Sequence, residues 1–499
     1  MKIMKITILK RVTFVLILGF LCFQCKHELP NTLLIQNAIL IDGTGSDRIV
    51  ASVRIEGNTI IEIGDLKALK TDTKINAEGL VLSPGFIDTH SHHDSDSLRT
   101  KESAISQGIT TIIVGQDGWS HLPIKNFMDS IYKTSWSVNV GSYTGHGRIR
   151  YEVMGDDFKR EATLAEIEQM KSLLETDMQN GSLGLGTGLE YDPGIYSSTN
   201  EVIELAKIAS KYGGRYISHM RSEDIYFNQS IDEILTIGRE ADIPVQISHF
   251  KLGRKGLWGK APEILQKLDS ARTKGINVTA DIYPYQYWQS TMTVLFPNRD
   301  FENRETAEFA LTELTTPEGM IISTFDAKPE YENLTLAEIA EIRSEDPVTT
   351  YIELIRMSQK LPGESIIAKS MSMEDIKSIM NWPFTNLCSD GSPTGHPRGW
   401  GAFPRYLVMD TGQSLETKIN KVTLQAAKNL NLKNIGEIKE GYFADLVLFD
   451  LDAIKDKATF ENSSLKSEGI NYVIVSGKIV YSNQIPKKVY SGRLIKRTN

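Results

Sequence analysis

Cysteine is scarce in this chain. Of three residues in 499, Cys22 and Cys25 lie at the extreme N-terminus and only Cys388 lies beyond it. That excludes a disulfide framework within the body of the protein. Long apolar runs are scarcer still. The one candidate, "VTFVLILGFLCF" at residues 12–23, falls short of the ~20 residues that a bilayer-crossing helix needs. Positive charge is not in excess either: 55 Lys and Arg stand against 63 Asp and Glu, a net charge of −8. This balance argues against nucleic acid, which selects basic surfaces. No internal repeat or low-complexity tract is present. Histidine is also rare, with nine residues, and where they fall proves the most informative feature of the sequence.

The N-terminus differs in kind from the rest. Lys2, Lys5, Lys10 and Arg11 form a basic head before the apolar run, the pattern of an export signal to be set aside from fold reasoning. With "QCKHE" following, the segment resembles a bacterial lipoprotein signal, with Gln24 standing where a small residue is usual. Residues 1–25 are then a signal peptide, Cys25 is the acylated residue, and the body is lipid-anchored in the cell envelope of a bacterium, facing the periplasm or on the outer membrane. Simple secretion is the plainer alternative.

Residues 26–84 read as short strands and turns, in "LLIQNAILIDGTG" and "ASVRIEGNTIIEIGD". The same texture returns over 431–499, in "ADLVLFD" and "NYVIVSGKIVYSN". Two β-rich ends around a different middle are expected to pair into one small β-sandwich domain. Between them, over 85–430, apolar strand-like runs end at Ile87, Val114, Val140, Leu185, Ile217, Ile247, Val278 and Leu387. Helical patterns such as "TLAEIEQMKSLLETDMQ" and "APEILQKLDSARTK" fill most of the gaps. Strand alternating with helix means a parallel sheet, and eight such strands close a (β/α)8 TIM barrel. An interruption at about 291–365 is either a cap over the barrel mouth or a surface insertion.

Barrel chemistry sits at the carboxyl ends of strands. Here those ends carry His90, His92 and His93 in "DTHSHHD", Asp117 in "VGQDG", His146 in "GHG", "GLGTGLEY", His219 in "SHMR", His249 in "SHFK", "DIYPY", and Asp390 in "CSDGS". Six of the nine histidines thus gather at or beside strand ends. His90 and His92, two residues apart, share a face at about 6.6 Å along the strand and can converge on one ion; His93 faces away and is read as packing or as the partner of a ligand. With His219, His249 and Asp390 they make a metal centre, and in an exported hydrolase zinc is the expected ion. More candidates than a closed tetrahedral site needs imply an open site or two ions. Lys251 shares the face of His249 and supplies a cation for a substrate carboxylate. Arg398 in "HPR" is a second candidate. Arg221 in "HMRSE" is a third, equally explained by a salt bridge. The run "YPYQYW" is either a pocket lining or core.

Together "GFIDTHSHHD", "SLGLGTGLEYDPG", "YISHMRSED", "ISHFK", "DIYPY", "SDG", "HPRGWGAFPRYL" and "GEIKEGYFADLVLFD" resemble the amidohydrolase superfamily, and more narrowly the N-acyl-D-amino-acid deacylases (D-aminoacylases), over nearly all of residues 33–485. The fourth-strand region lacks the carboxylated lysine of related cyclic amidases, which disfavours hydantoinase- or dihydroorotase-like chemistry. In the deacylases the second tip usually reads Val-Gly-Asn-Cys-Gly, with cysteine a metal ligand. This chain has Asp117 at that position, a harder ligand that a thiol-oxidising environment cannot damage. The alternative for Asp117 is a hydrogen bond to a ligand histidine. The resemblance further implies Tyr191, Tyr283 and Ser290 as substrate-carboxylate partners and His146 as a hydrogen-bond donor to the substrate carbonyl.

The expected function is therefore removal of the acyl group from N-acyl-D-amino acids by a metal-activated water, with one or two zinc ions and Asp390 as general base and acid. A dipeptidase for substrates with a C-terminal D-residue is the first alternative. A non-catalytic metal-binding lipoprotein is the second.

Overall fold

The computed structural model describes residues 31–497. The basic head, the apolar run and Cys25 lie outside the described residues, and with them the expectations of export and acylation.

Eight strands of the alternating middle form the barrel: β1 (Phe86–Asp88), β2 (Ile109–Val114), β3 (Asn139–Ser142), β4 (Gly184–Gly188), β5 (Arg215–His219), β6 (Val245–Ile247), β7 (Val278–Ile282) and β8 (Thr385–Leu387). Each contains one of the expected strand ends. All pair in parallel with their neighbours, β1 to β3 in one run and β4 to β8 in another. Two seams close the cylinder. The Leu183 N–H donates to the Ser142 carbonyl at 3.0 Å, and the Asp390 N–H donates to the His90 carbonyl at 2.9 Å. All six residues of β2, "ITTIIV", are buried, as a strand covered on both faces requires.

The helices follow their sequence signals. Leu164–Gln179 opens at Thr163, which forms a reciprocal capping box with Glu166. Ile167, Met170, Leu174 and Met178 recur on its buried face at three- and four-residue spacing. Burying such side chains contributes about 1.5–3 kcal/mol each. Thr199–Lys211 is capped by Ser198, and Ala261–Thr273 carries Pro262 in its first turn. The barrel floor is an apolar plug of Ile87, Ile113, Tyr143, Leu183 and Ile217, sealed by Ala426, Leu430 and Ile495.

The two β-rich ends meet in one nine-stranded sheet. Leu446–Phe449 from the C-terminal segment pairs antiparallel with Val81–Pro84 from the N-terminal one. The Thr59–Phe443 bridge folds the sheet back around its own apolar core. The tail departs from expectation. Residues beyond Pro486 leave this sheet and run to the barrel, where Leu494 bridges Val140 and Ile495 enters the floor. An apolar Leu-Ile pair and the Arg493–Asp445 ion pair draw it there.

The interruption is itself folded, from Tyr287 to Lys369, wider than the sequence pattern marks. Tyr287–Ser290, Met320–Phe325 and Glu364–Lys369 form a three-stranded antiparallel sheet. The Glu364 carboxylate accepts the Met292 N–H at 2.9 and 3.1 Å, and the Tyr351 hydroxyl donates to the Met292 carbonyl at 2.6 Å. This fixes the turn that places Val294 and Leu295 on the wall of the cavity at the barrel mouth. The segment therefore covers the mouth.

Candidate metal centre

At the β2 tip the strand ends in "VGQDG". Gly115 has φ +77°, and a Cβ there would lie 2.2 Å from the Tyr143 carbonyl oxygen, so only glycine lets the chain turn. Asp117 then adopts φ +52°. Two other tip residues do the same: His249 at φ +34° and Asp390 at φ +47°. Left-handed backbone is uncommon outside glycine, and its use at three tips is held by specific bonds. The Asp281 carboxylate accepts the His249 N–H, the His90 carbonyl accepts the Asp390 N–H, and the Gln116 amide donates to the Thr89 carbonyl. Asp88 joins β1 to β8 by accepting both the N–H and the hydroxyl of Ser389.

These turns bring two sets of donor atoms together. In the first, His90 Nε2 and His92 Nε2 are 3.4 Å apart. Asp117 Oδ2 lies 3.3 and 3.2 Å from them, and Asp390 Oδ1 lies 3.4 and 3.3 Å from them. Ligands about 2.0–2.1 Å from a tetrahedral zinc stand about 3.3–3.4 Å from each other. Five edges of this cluster, at 3.2–3.4 Å, match that length closely, and its imidazole and carboxylate donors suit zinc. In the second set, the other oxygen of the same carboxylate, Asp117 Oδ1, has no hydrogen-bond partner and lies 3.4 Å from His249 Nε2. His249 Nε2 in turn is 2.9 Å from His219 Nδ1. These two ion positions are joined by one carboxylate, and a third donor group, Glu190, His219 and Glu223, lies beside the second.

The electrostatics agree. Burial pulls the Asp117 and Asp390 carboxyls upward, but His90 and His249, with Arg398 also beside Asp390, outweigh it, and both stay well below the usual carboxylate range. Burial pushes His92 and His249 down, yet Asp117 and Asp390 beside His92, and Glu223 and Asp390 beside His249, raise them to about 10 and about 9. The carboxylates demand positive charge at this point. His219, buried beside Glu223, His249 and Lys251, falls to about 3 and is neutral. A neutral imidazole with a free nitrogen is the form that binds metal.

A curated D-aminoacylase from Alcaligenes xylosoxydans xylosoxydans is 33% identical over 94% of this chain and 98% of its own length. The chain belongs to the D-aminoacylase family of amidohydrolases. The amidohydrolase family model matches residues 336–481. A D-aminoacylase structure with a binuclear metal centre superposes with a TM-score of 0.82 at 30% identity, over 93% of this chain and 99% of that one. An N-acyl-D-glutamate deacylase from Bordetella bronchiseptica, complexed with zinc and a phosphonate mimic of the tetrahedral intermediate, gives 0.84 at 28% identity, over 94% and 100%. Deacylases of this family carry metal at such a centre, and the donor set described here fits it.

Most of the residues singled out in the sequence converge. His92, Asp117, His219, His249, Lys251, Tyr191, Ser290, Asp390 and Arg398 all line one cavity, with His90 directly behind His92. Two depart from expectation, and a third is placed as expected but already paired. His146 does not reach the cavity. It opens the helix His146–Met154, fully buried, and its Nε2 pairs with Glu201 at 2.8 Å, a carboxylate that also holds Arg150. Tyr283 lies behind the wall, its ring 4.5 Å from the Arg398 guanidinium and its hydroxyl buried without a partner. Lys251 does line the cavity, but its charge is already shared: Nζ contacts Glu223 at 2.5 Å and His249 Nδ1 at 2.8 Å. Arg221 takes the structural alternative, paired with Glu233 at 2.8 Å. Of the aromatic run, Trp288 lines the cavity, while the Tyr285 hydroxyl donates to Asp456 at 2.8 Å.

Three carboxylates on the cavity wall escaped the sequence reading, Asp224 among them. Glu190, in "GLEY", lies 2.7 Å from His219 Nε2. Glu223, in "HMRSED", lies 3.1 Å from His249 Nδ1. The available signal was an acidic residue within each tip motif.

Proposed function

We propose that this protein is a metal-dependent amide hydrolase that removes the acyl group from N-acyl-D-amino acids. The observation that carries the reading is the pair of donor clusters sharing Asp117, with Asp390 facing the first. His90, His92, Asp117 and Asp390 would hold one ion, and Asp117, His219 and His249 a second. Zinc bound there supplies a lowered water pKa and a polarised acyl carbonyl.

The chain's own groups do the rest. Asp390 is ionised, and Arg398 grips its Oδ2 at 2.8 Å, leaving Oδ1 turned to the metal-facing nitrogens. Held so, it takes the proton from the attacking water and delivers it to the departing nitrogen. Lys251 and Arg398 are the lysine and arginine on the cavity wall among the described residues, and with Tyr191 and Ser290 they recognise the carboxylate of the amino-acid half. Trp288, Val294 and Leu295 give an apolar wall that suits an acyl group or an apolar side chain. Asp224 on the same wall favours a second substrate, a dipeptide with a C-terminal D-residue, whose amino terminus it would meet.

The deciding experiment assays the purified protein against N-acetyl-D-amino acids, their L-enantiomers and L,D-dipeptides, before and after chelation, with metal content measured in parallel. D-selective hydrolysis that chelation abolishes and zinc restores is expected. Hydrolysis indifferent to chelation, or none across the panel, overturns the reading; faster turnover of dipeptides reassigns the substrate. Fractionating the producing cells tests attachment through Cys25, since an acylated chain travels with the membranes.

A further inference from the structure

His219 has two ring nitrogens, and the structure gives them different neighbours. Nδ1 faces His249 Nε2 at 2.9 Å and the Tyr191 hydroxyl at 3.1 Å, inside the site. Nε2 faces Glu190 Oε2 at 2.7 Å. A neutral imidazole carries one proton, so whichever nitrogen donates a hydrogen bond leaves the other with the free electron pair. The ring is 2% exposed, so its two nitrogens are held almost entirely by protein groups.

We propose that Glu190 is a positioning residue. By accepting the His219 Nε2–H it fixes the tautomer whose Nδ1 is free, and so prepares the second ion position. The insertion over the mouth holds Glu190 in turn. Arg299 donates to the Glu190 backbone carbonyl at 2.6 Å and to the Asp192 carboxylate at 3.1 Å, clamping the loop after β4 from above. The segment that covers the cavity thereby reaches the metal centre through two contacts, Arg299 to Glu190 and Glu190 to His219. Carboxylate partners of ligand histidines typically change metal affinity by 10–100-fold when removed.

The inference rests on the reading of His219 as a ligand, and the test separates the two. Full-length protein is stripped of metal, and zinc binding is followed by calorimetry alongside the visible spectrum of the cobalt-loaded form. Glu190→Gln keeps an acceptor oxygen and is expected to hold both ions within about threefold of the natural affinity. Glu190→Met fills the same volume without an acceptor and is expected to weaken the second ion at least tenfold, leave the first unchanged and alter the cobalt spectrum. Arg299→Ala, which removes a side chain that touches no proposed ligand, is expected to weaken only the second ion, by about threefold. Two tight ions in Glu190→Met, or equal losses in the Gln and Met variants, overturn the positioning role. An unchanged Arg299→Ala removes the insertion from it. If the natural protein binds no second ion, or His219→Ala binds both, the ligand assignment itself fails instead.

Discussion

In the nine-stranded sheet the buried interior is apolar: Ile35, Val53, Ile55, Leu82, Leu446 and Ile474 pack on one another, and left-handed backbone is spent on exposed asparagines such as Asn37 and Asn483. At the barrel mouth the buried interior is charged. Asp117, Glu190, Glu223, Asp390, Lys251 and Arg398 crowd four histidines there, and left-handed backbone falls on three residues that would ligate or act on substrate. Each such residue costs roughly 1–2 kcal/mol, and unpaired charge in an apolar setting costs more. One region is held by apolar packing. The other carries strain and charge because a cation and a substrate need them, and it is supported by its neighbours rather than by its own preferences.

Three perturbations break or sharpen this contrast. The largest effect is expected of Asp390→Asn, which keeps an oxygen toward His90 and His92 but cannot take a proton. Turnover should fall by about 10²–10⁴-fold with zinc content retained. Near-natural turnover would mean that the strain at this tip has no catalytic purpose. Next, Leu446→Ala, at a fully buried position of the sheet, should cost about 2–5 kcal/mol in denaturant unfolding. Metal content and KM should be unmoved; loss of metal along with stability would show that the two regions are not independent.

The smallest effect concerns the clamp over the mouth. Burial raises Glu364 to about 7, while its carboxylate accepts the Met292 N–H. A carboxyl whose folded pKa lies above the unfolded value of about 4.5 keeps its proton longer in the folded chain, so stability declines as pH rises from about 4.5 through 7 and is level above. Glu364→Gln removes that decline. The variant and the natural protein should match near pH 4, and the variant should lead by about 1–2 kcal/mol at pH 8. A gap independent of pH would locate the strain elsewhere.

Much of this architecture is written locally. A barrel strand is buried on both faces, so it must be a continuous apolar, β-branched run, and all eight such runs became strands. Histidines and aspartates directly after them were bound to share one mouth, because parallel strands all end on the same side. His146 shows where local reading stops. It too follows a strand, but its ring turns to Glu201, 55 residues further on. Lys251, four residues past the end of β6, lines the cavity as expected, yet Glu223 from a neighbouring tip already claims its charge.

The sequence by itself therefore determined the barrel, the small β region, the family and the ring of donor residues, since each depends on patterns a few residues long. Tertiary structure alone decided which oxygen of Asp117 meets which histidine, which nitrogen of His219 is free, and that the insertion roofs the site. Those outcomes depend on atoms from separate strands meeting within about 3 Å, a distance at which hydrogen bonds and charge act and which no local pattern encodes.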